Sequence, residues 1–296
     1  MQEMNDKFAS GSIVALVTPF EDGGKRLDQA AWLRLLQWHA QAGTSGVIVA
    51  GTTGESATLD CSERDWLLQS AVDSVSGRLT VIAGTGSAST ATAVALSQRA
   101  AKLGADAVLV ASPYYNRAPQ RGLLAHYRAI ADECGVPVVL YNVPSRTAVD
   151  IEPETALALG EHPNVVAIKE AVADMGRVRQ YAQAGLTVVS GDDPSALEAM
   201  RNGAAGVVSV ASNVAPERMV RMCRLTAKSD FEAAGECNSR LEPLYRFLAV
   251  ESNPIPLKWL LSEMGYTRLD LRLPLVGLAE MHHARGRRLH ASLAVE

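Results

Sequence analysis

A lysine at the end of an apolar run is the first residue in this sequence whose position suggests chemistry. Lys169 closes the run VVAIK, which has the β-branched, continuously apolar composition of a buried strand. Because strand side chains alternate, Val165 and Ala167 are predicted to share a face with Lys169. Glu170 is predicted to point the other way, so it cannot neutralise the amine directly.

This position predicts nucleophilic chemistry. Burial favours the neutral form of an amine, and a neutral amine attacks carbonyl carbons to form a Schiff base. An alternative interpretation stays open, in which Lys169 lies at the rim of the fold and pairs with an acid such as Asp192.

Four further side chains could serve such a reaction. Tyr141 ends the preceding strand-like run, PVVLY, and its phenol could move the protons that imine formation requires. Thr52 and Thr53 stand between glycines and offer hydroxyl and backbone N–H groups that suit a small carboxylate. Arg146, shortly after Tyr141, carries a guanidinium that suits a second carboxylate. The ordinary alternatives are a core tyrosine, a glycine-rich turn and a surface arginine.

Other motifs give weaker indications. The sequence GTG follows a strand-like run, but Ser89 stands where a dinucleotide-binding turn needs its third glycine. Asp192 and Asp193 could pair on a metal, although Pro194 directly after them favours helix capping. The C-terminal histidines lie among arginines without the spacing of a metal site. We therefore predict no metal site and no nucleotide cofactor.

A repeated scaffold is needed to bring these residues together. Short apolar runs alternate with segments of helical period, and eight of them begin near Ile13, Gly46, Thr80, Ala107, Pro137, Val165, Thr187 and Gly206. Such a series favours an α/β fold with a closed parallel (β/α)8 TIM barrel, a doubly wound sheet being the alternative. In such barrels the chemistry lies at the carboxyl ends of the strands, where the residues above are found.

The strand pattern stops before the end of the chain. We predict a catalytic barrel over residues 1–226 and a C-terminal helical extension over residues 227–296. One apolar stripe of that extension combines Leu241, Leu244, Tyr245 and Leu248. Helix starts are predicted at Ser62 with Asp65 and at Pro216.

Composition excludes several classes of protein. With 48% hydrophobic residues in a chain of 296, disorder is excluded, and a net charge of -4 gathers neither nucleic acid nor an anionic membrane. No apolar run approaches the roughly 20 residues of a membrane span, and the polar N-terminus is not that of a signal peptide. Four scattered cysteines argue against a zinc site or a disulfide framework. We therefore predict a cytoplasmic protein.

Taken together, the motifs resemble a known family. The order GTTGE, PYYN, YNVPSRT, IKEA, SGDD and GVVSV is similar to that of the dihydrodipicolinate synthase family of pyruvate-dependent class I aldolases. The resemblance runs from Gly11 to about Pro274 and includes NPIPLKW and LRLPL. Each motif alone is weak, but their combination is specific. The resemblance implies a lyase of diaminopimelate and lysine biosynthesis.

The resemblance implies a catalytic role for four residues. Pyruvate condenses on Lys169 as an imine, and the enamine then attacks L-aspartate 4-semialdehyde. Tyr141 is the general acid and base, with Thr52 and Tyr115 completing its proton relay. Tyr115 is supplied across a tight dimer interface within a homotetramer built as a dimer of dimers. No metal or organic cofactor is implied.

Four other positions are implied to bind substrate. Thr53 holds the pyruvate carboxylate and Arg146 the semialdehyde carboxylate, while Gly191 and Val208 line the pocket mainly through their backbone. These positions coincide with the strand ends at which the residues alone predict chemistry.

Two alternatives stay open. An N-acetylneuraminate lyase or a keto-deoxy-sugar aldolase would share the lysine and tyrosine but lack an arginine in the VPSRT context, so Arg146 and the double threonine favour the synthase. A non-catalytic, metabolite-binding relative would be indicated by loss of Lys169 or Tyr141, and both are present.

The resemblance also bears on regulation. Many relatives are inhibited by L-lysine at a dimer-interface site near the GESAT segment. Where the inhibited relatives carry histidines, an asparagine and a glutamate, this chain has Cys61, Arg64, Ala88 and Thr92. An ammonium group without a carboxylate partner is disfavoured when buried, and the cationic Arg64 opposes it further. We therefore expect little or no inhibition by lysine.

Overall fold

Eight parallel strands close into a barrel, and helices alternate with them along the chain. The structure, a computed structural model, describes residues 10–293, so the polar N-terminal segment considered above lies outside it. The barrel strands are β1 (Gly11–Ala15), β4 (Gly46–Val49), β5 (Thr80–Gly84), β6 (Ala107–Ala111), β7 (Val138–Asn142), β8 (Val165–Glu170), β9 (Thr187–Ser190) and β10 (Gly206–Ser209). Their order around the barrel, β1-β10-β9-β8-β7-β6-β5-β4, confirms the predicted (β/α)8 fold. A short antiparallel hairpin, β2 (Phe20–Glu21) and β3 (Arg26–Leu27), was not predicted.

Helices follow the strands and then continue into the C-terminal region. Those of the barrel are α1 (Gln29–Ala42), α2 (Cys61–Val75), α3 (Thr90–Lys102), α4 (Gln120–Glu133), α5 (Pro144–Thr147), α6 (Pro153–Gly160), α7 (Met175–Gln183), α8 (Ala196–Arg201) and α9 (Pro216–Ala227). Those after it are α10 (Phe231–Leu248), α11 (Ile255–Glu263) and α12 (His283–Leu293). In residues 10–293, none combines the length and apolarity needed to cross a bilayer.

Side-chain caps set where these helices begin. Asp60 caps α2: its carboxylate accepts from the N–H of Glu63, whose own side chain accepts from the N–H of Asp60. The predicted start at Ser62 with Asp65 is therefore wrong, because the reciprocal pair lies two residues earlier. Pro216 occupies the first turn of α9, as predicted.

Two apolar layers cover both faces of the barrel strands. The inner layer fills the barrel with side chains that include Ile13, Ile48, Ile82, Leu109, Val139, Val189 and Val208. The outer layer packs the strands against the helices. Because both faces are buried, the strands carry continuous apolar runs, which is why their sequence pattern is so clear.

A bulge between β7 and β8 changes one predicted face. Val138 pairs with Val165, but Val139 pairs with Ala167, so Val166 is an extra residue in β8. Val165 consequently packs in the outer layer, whereas Val166 and Ala167 belong to the inner one. The prediction that Val165 shares a face with Lys169 is therefore wrong, and that for Ala167 is confirmed.

The C-terminal helices pack against the barrel through the same outer layer. The predicted stripe of α10 is confirmed, with Leu241, Leu244 and Tyr245 buried and Leu248 packed beside them. The predicted boundary at residue 226 falls one residue before the end of α9. The division into residues 1–226 and 227–296 stays a prediction.

Candidate active site

Lys169 and Tyr141 meet inside the carboxyl end of the barrel. They are directly opposite partners on β8 and β7, and both are buried. The lysine Nζ lies 3.9 Å from the centroid of the tyrosine ring, over its face. The acid that the alternative would pair with the lysine is engaged elsewhere, since Asp192 accepts hydrogen bonds from the N–H and hydroxyl of Ser195 at 3.1 and 2.6 Å.

Gly191 leaves room beside this lysine. A Cβ atom on Gly191 would lie 3.0 Å from Cε of Lys169 and 3.0 Å from Cβ of Ala171, which is tighter than nine in ten real Cβ contacts. The structure therefore brings Gly191 against Lys169. Val208, the other predicted lining residue, is buried in the inner layer of the barrel.

The GTTGE segment forms the loop between β4 and α2. Thr53 is buried and Thr52 is half-buried. The hydroxyl of Thr53 accepts a hydrogen bond from Nδ2 of Asn253 at 2.9 Å. The hydroxyl of Thr18, three residues after the end of β1, donates to the carbonyl of Gly54 at 2.7 Å and fixes the turn.

A buried ion pair ties this loop to the C-terminal helices. Glu55, in the left-handed region with φ 53°, is 2.5 Å from Nζ of Lys258, and neither side chain is exposed. Glu55 also accepts from the N–H of Arg272 at 3.2 Å. Both cations lie 4.2 Å from the ring centroid of Phe20. Burial lowers the pKa of Lys258, while the attraction of Glu55 acts in the opposite direction.

Asn253 contacts both predicted carboxylate-binding residues and was missed as a site residue. Besides its bond to Thr53, its carbonyl accepts from the exposed guanidinium of Arg146 on α5 at 3.4 Å. Its Oδ1 is buried without a hydrogen-bond donor among the described residues. The only sequence signal was its place in NPIPLKW, which marked a family match and no chemistry.

Tyr115 is not part of the cluster within one chain. It lies in the loop after β6 with 92% of its surface exposed, whereas Lys169 and Tyr141 are buried. Its backbone adopts φ 71°, a left-handed conformation that costs energy for a residue with a side chain. Tyr114 beside it is also exposed. The structure thus unites Lys169, Tyr141 and Gly191 and leaves Tyr115 projecting outward.

Comparison with known proteins gives consistent results. The sequence model described as the Dihydrodipicolinate synthetase family matches residues 8–291. A curated relative from Stenotrophomonas maltophilia (strain R551-3), named 4-hydroxy-tetrahydrodipicolinate synthase, is 49% identical over 288 residues, which cover 96% of each chain.

Solved structures of this family are also similar to the chain, at lower sequence identity. One is the chloride-inhibited dihydrodipicolinate synthase of Acinetobacter baumannii complexed with pyruvate: its TM-score is 0.94 at 41% identity, covering 97% of this chain and 100% of that one. Another is the enzyme of Cyanidioschyzon merolae with lysine bound, with a TM-score of 0.94 at 37% identity, covering 98% of this chain and 99% of that one.

Proposed function

This chain belongs to the dihydrodipicolinate synthetase family, and we propose that Lys169 is the residue on which its reaction takes place. The chain is a lyase of the Schiff-base-forming aldolase type, with the function of a 4-hydroxy-tetrahydrodipicolinate synthase. It condenses pyruvate with L-aspartate 4-semialdehyde in diaminopimelate and lysine biosynthesis. The observation that carries the assignment to Lys169 is its buried amine over the ring of Tyr141, 3.9 Å from the centroid.

The first half of the reaction binds pyruvate covalently. The amine of Lys169 attacks the ketone carbon, and the former carbonyl oxygen leaves as water when the imine forms. Tyr141, opposite Lys169 in the strand register, gives and takes the protons of this step. Thr52 and Tyr115 extend the relay. Thr53 holds the pyruvate carboxylate through its hydroxyl, which Asn253 already orients.

The second half forms the carbon–carbon bond. Loss of a methyl proton turns the imine into an enamine, whose carbon attacks the aldehyde of the second substrate. The amino group of that substrate then attacks the imine carbon, and ring closure expels the amine of Lys169. Arg146 holds the semialdehyde carboxylate by charge-assisted hydrogen bonds. Gly191 gives the adduct room, and Val208 closes the pocket wall.

A complete site then requires a second subunit. The exposure of Tyr115 and its left-handed backbone support a role in a partner's site. The assembly that follows is a tight dimer, and two such dimers form the homotetramer that the family resemblance implies. The reaction and the balanced composition are consistent with a cytoplasmic enzyme.

Borohydride reduction in the presence of pyruvate tests the proposal. Reduction traps the imine as a stable secondary amine, and peptide mass spectrometry should find it on Lys169. Lys258, the other buried lysine of residues 10–293, is an internal control, because its ion pair with Glu55 should leave it unlabelled. Lys169→Ala should abolish the label. An adduct on Lys258, or none at all, would contradict the mechanism. A coupled assay with aspartate semialdehyde then tests the second substrate.

A further inference from the structure

A polar pair lies directly behind Lys169 and Tyr141, on the outer face of the same two strands. Asn142 and Glu170 are the next register partners along β7 and β8, and both are buried. Nδ2 of Asn142 donates to both carboxylate oxygens of Glu170, at 3.0 and 3.1 Å. Since strand side chains alternate, this pair and the reacting pair occupy opposite faces of one strand junction.

The pair is anchored on both sides. Nδ2 of Asn142 also donates to Asp150 at 2.7 Å, and its Oδ1 accepts from the N–H of Ile151 at 3.0 Å. Glu170 accepts in addition from the N–H of Val172 at 2.8 Å. These bonds tie the ends of β7 and β8 to the segments that follow α5 and β8, so the pair cannot shift without breaking several of them.

An arginine on α7 completes the network. Arg177 makes two hydrogen bonds to Asp150, at 2.8 and 2.6 Å, and its Nη1 lies 4.0 Å from Glu170. Burial raises the pKa of Glu170 to about 7, although the hydrogen bonds from Val172 and Asn142 act in the opposite direction. The contacts that fix this group are the hydrogen bonds that it accepts from Asn142 and Val172.

The bulge in β8 explains why apolar packing is not enough to fix the register of β7 and β8. Val166 is inserted only three residues before Lys169, and both faces of the strand are apolar. Apolar packing alone distinguishes poorly between registers, and a slip of one residue would move Lys169 to the outer face. A hydrogen-bonded amide and carboxylate fit only one alignment, so they select the register that brings Lys169 to Tyr141.

We propose that Asn142 and Glu170 are positioning residues that lock β7 and β8 in the register that places Lys169 against Tyr141. The inference rests on the proposed function, since it takes Lys169 and Tyr141 as the reacting pair. Neither positioning residue contacts substrate. Their effect is on the geometry of imine formation.

The test compares the rate at which borohydride traps pyruvate on Lys169. Asn142→Leu keeps the size of the side chain but removes its hydrogen bonds, and should slow trapping at saturating pyruvate by on the order of 10- to 100-fold. Glu170→Gln retains an oxygen that can accept from Asn142 and Val172, and should keep a rate near that of the wild type. Should Asn142→Leu fail to fold, Asn142→Ser, which is too short to reach Glu170, is measured in the same way.

A matched control separates positioning from general stability. Asp106 accepts from the N–H of Val81 at 2.8 Å and links β5 and β6 at the opposite end of the barrel. Asp106→Ala should lower the melting temperature without slowing trapping. A wild-type trapping rate in folded Asn142→Leu would overturn the inference, and so would a trapping rate in Asp106→Ala as slow as that of Asn142→Leu. Either result would leave the proposed function standing. Absence of label in the wild type would overturn the proposed function and this inference with it.

Discussion

At the scale of single residues, two buried lysines show how surroundings determine use. Lys258 is held in a buried ion pair with Glu55, which gives it a structural role. Lys169 faces the ring of Tyr141 and lies against Gly191, which has no side chain to crowd its Cε atom. Burial alone therefore does not identify a nucleophile.

Gly191→Ala should slow imine formation while leaving the fold intact. The added Cβ would meet Cε of Lys169 and Cβ of Ala171 at 3.0 Å, so the lysine side chain must shift by a few tenths of an ångström from the position that we propose for attack. We expect trapping of pyruvate to slow by on the order of tenfold or more. Gly277→Ala is the matched control, because nothing lies within 4 Å of a Cβ there. Unchanged trapping in a folded Gly191→Ala would show that the space is not used.

Arg146→Ala should raise the KM for aspartate semialdehyde far more than that for pyruvate. Losing a charge-assisted hydrogen bond to a ligand carboxylate costs roughly 1.5–3 kcal/mol, about one to two decades. Steady-state kinetics with each substrate varied in turn measures the effect. Arg246→Ala, at an exposed pair with Glu242, is the control. A rise in the pyruvate KM instead would exchange the two carboxylate assignments.

The residues of the candidate site that lie on strands could be predicted from the alternation of strand side chains. The contacts between segments distant in sequence could not. The facing of Lys169 and the outward direction of Glu170 follow from the two-residue repeat of a strand. Asn253 reaches Thr53 across 200 residues of sequence, and no local periodicity encodes such a contact. The exposure of Tyr115 could not be predicted either, because residues in a loop have no periodic pattern that indicates which side chains are buried.

At the scale of elements, continuous apolar runs predicted the barrel strands but concealed the bulge. A strand buried on both faces has no alternation, so the sequence cannot show that Val166 is an extra residue. The hairpin of Phe20–Glu21 with Arg26–Leu27 was missed because two-residue strands carry too few positions for a pattern. The C-terminal helices were predicted as elements. Their attachment to the GTTGE loop was not, because it depends on the long-range ion pair between Glu55 and Lys258.

Breaking the ion pair between Glu55 and Lys258 should destabilise the protein and weaken pyruvate binding. Lys258→Met leaves the carboxylate of Glu55 buried without its cation, and such losses cost about 3–5 kcal/mol. The loop that carries Thr53 should loosen, so the pyruvate KM should rise in the folded fraction. Urea unfolding measures the first effect and steady-state kinetics the second.

The double variant Glu55→Gln with Lys258→Met separates charge from packing. It removes both members of the pair, so it should recover much of the lost stability. A double variant as unstable as Lys258→Met alone would mean that packing around Lys258 is what matters, and that the unpaired carboxylate is not the cause.

At the scale of the whole molecule, Tyr115 should act in a partner's site. Tyr115→Phe should lower kcat without unfolding the chain, since only an exposed hydroxyl is removed. Mixing it with inactive Lys169→Ala should restore activity, because one site of each mixed dimer then has both Lys169 and Tyr115. Random mixing gives about a quarter of the wild-type sites. Mixed dimers that form without any rescue would show that each chain builds its own site.

Inhibition by lysine should be weak, because Arg64 of the chain itself places a cation in the region near the GESAT segment. Arg64 on α2 is half-buried and donates to the backbone carbonyls of Ser56 and Gly84, so these acceptors are already used. A lysine ligand would have to place an ammonium group beside this guanidinium without the glutamate that the inhibited relatives carry, since Thr92 stands there.

We therefore expect millimolar lysine to leave activity almost unchanged at saturating pyruvate. Arg64→His combined with Thr92→Glu removes the competing charge and adds a carboxylate, so it should create measurable inhibition. The control Arg78→His changes an exposed arginine three residues beyond the C-terminal end of α2, where no effect is expected. Half-inhibition of the wild type well below millimolar lysine would mean that other residues supply the missing acceptors and that Arg64 moves aside when the ligand binds.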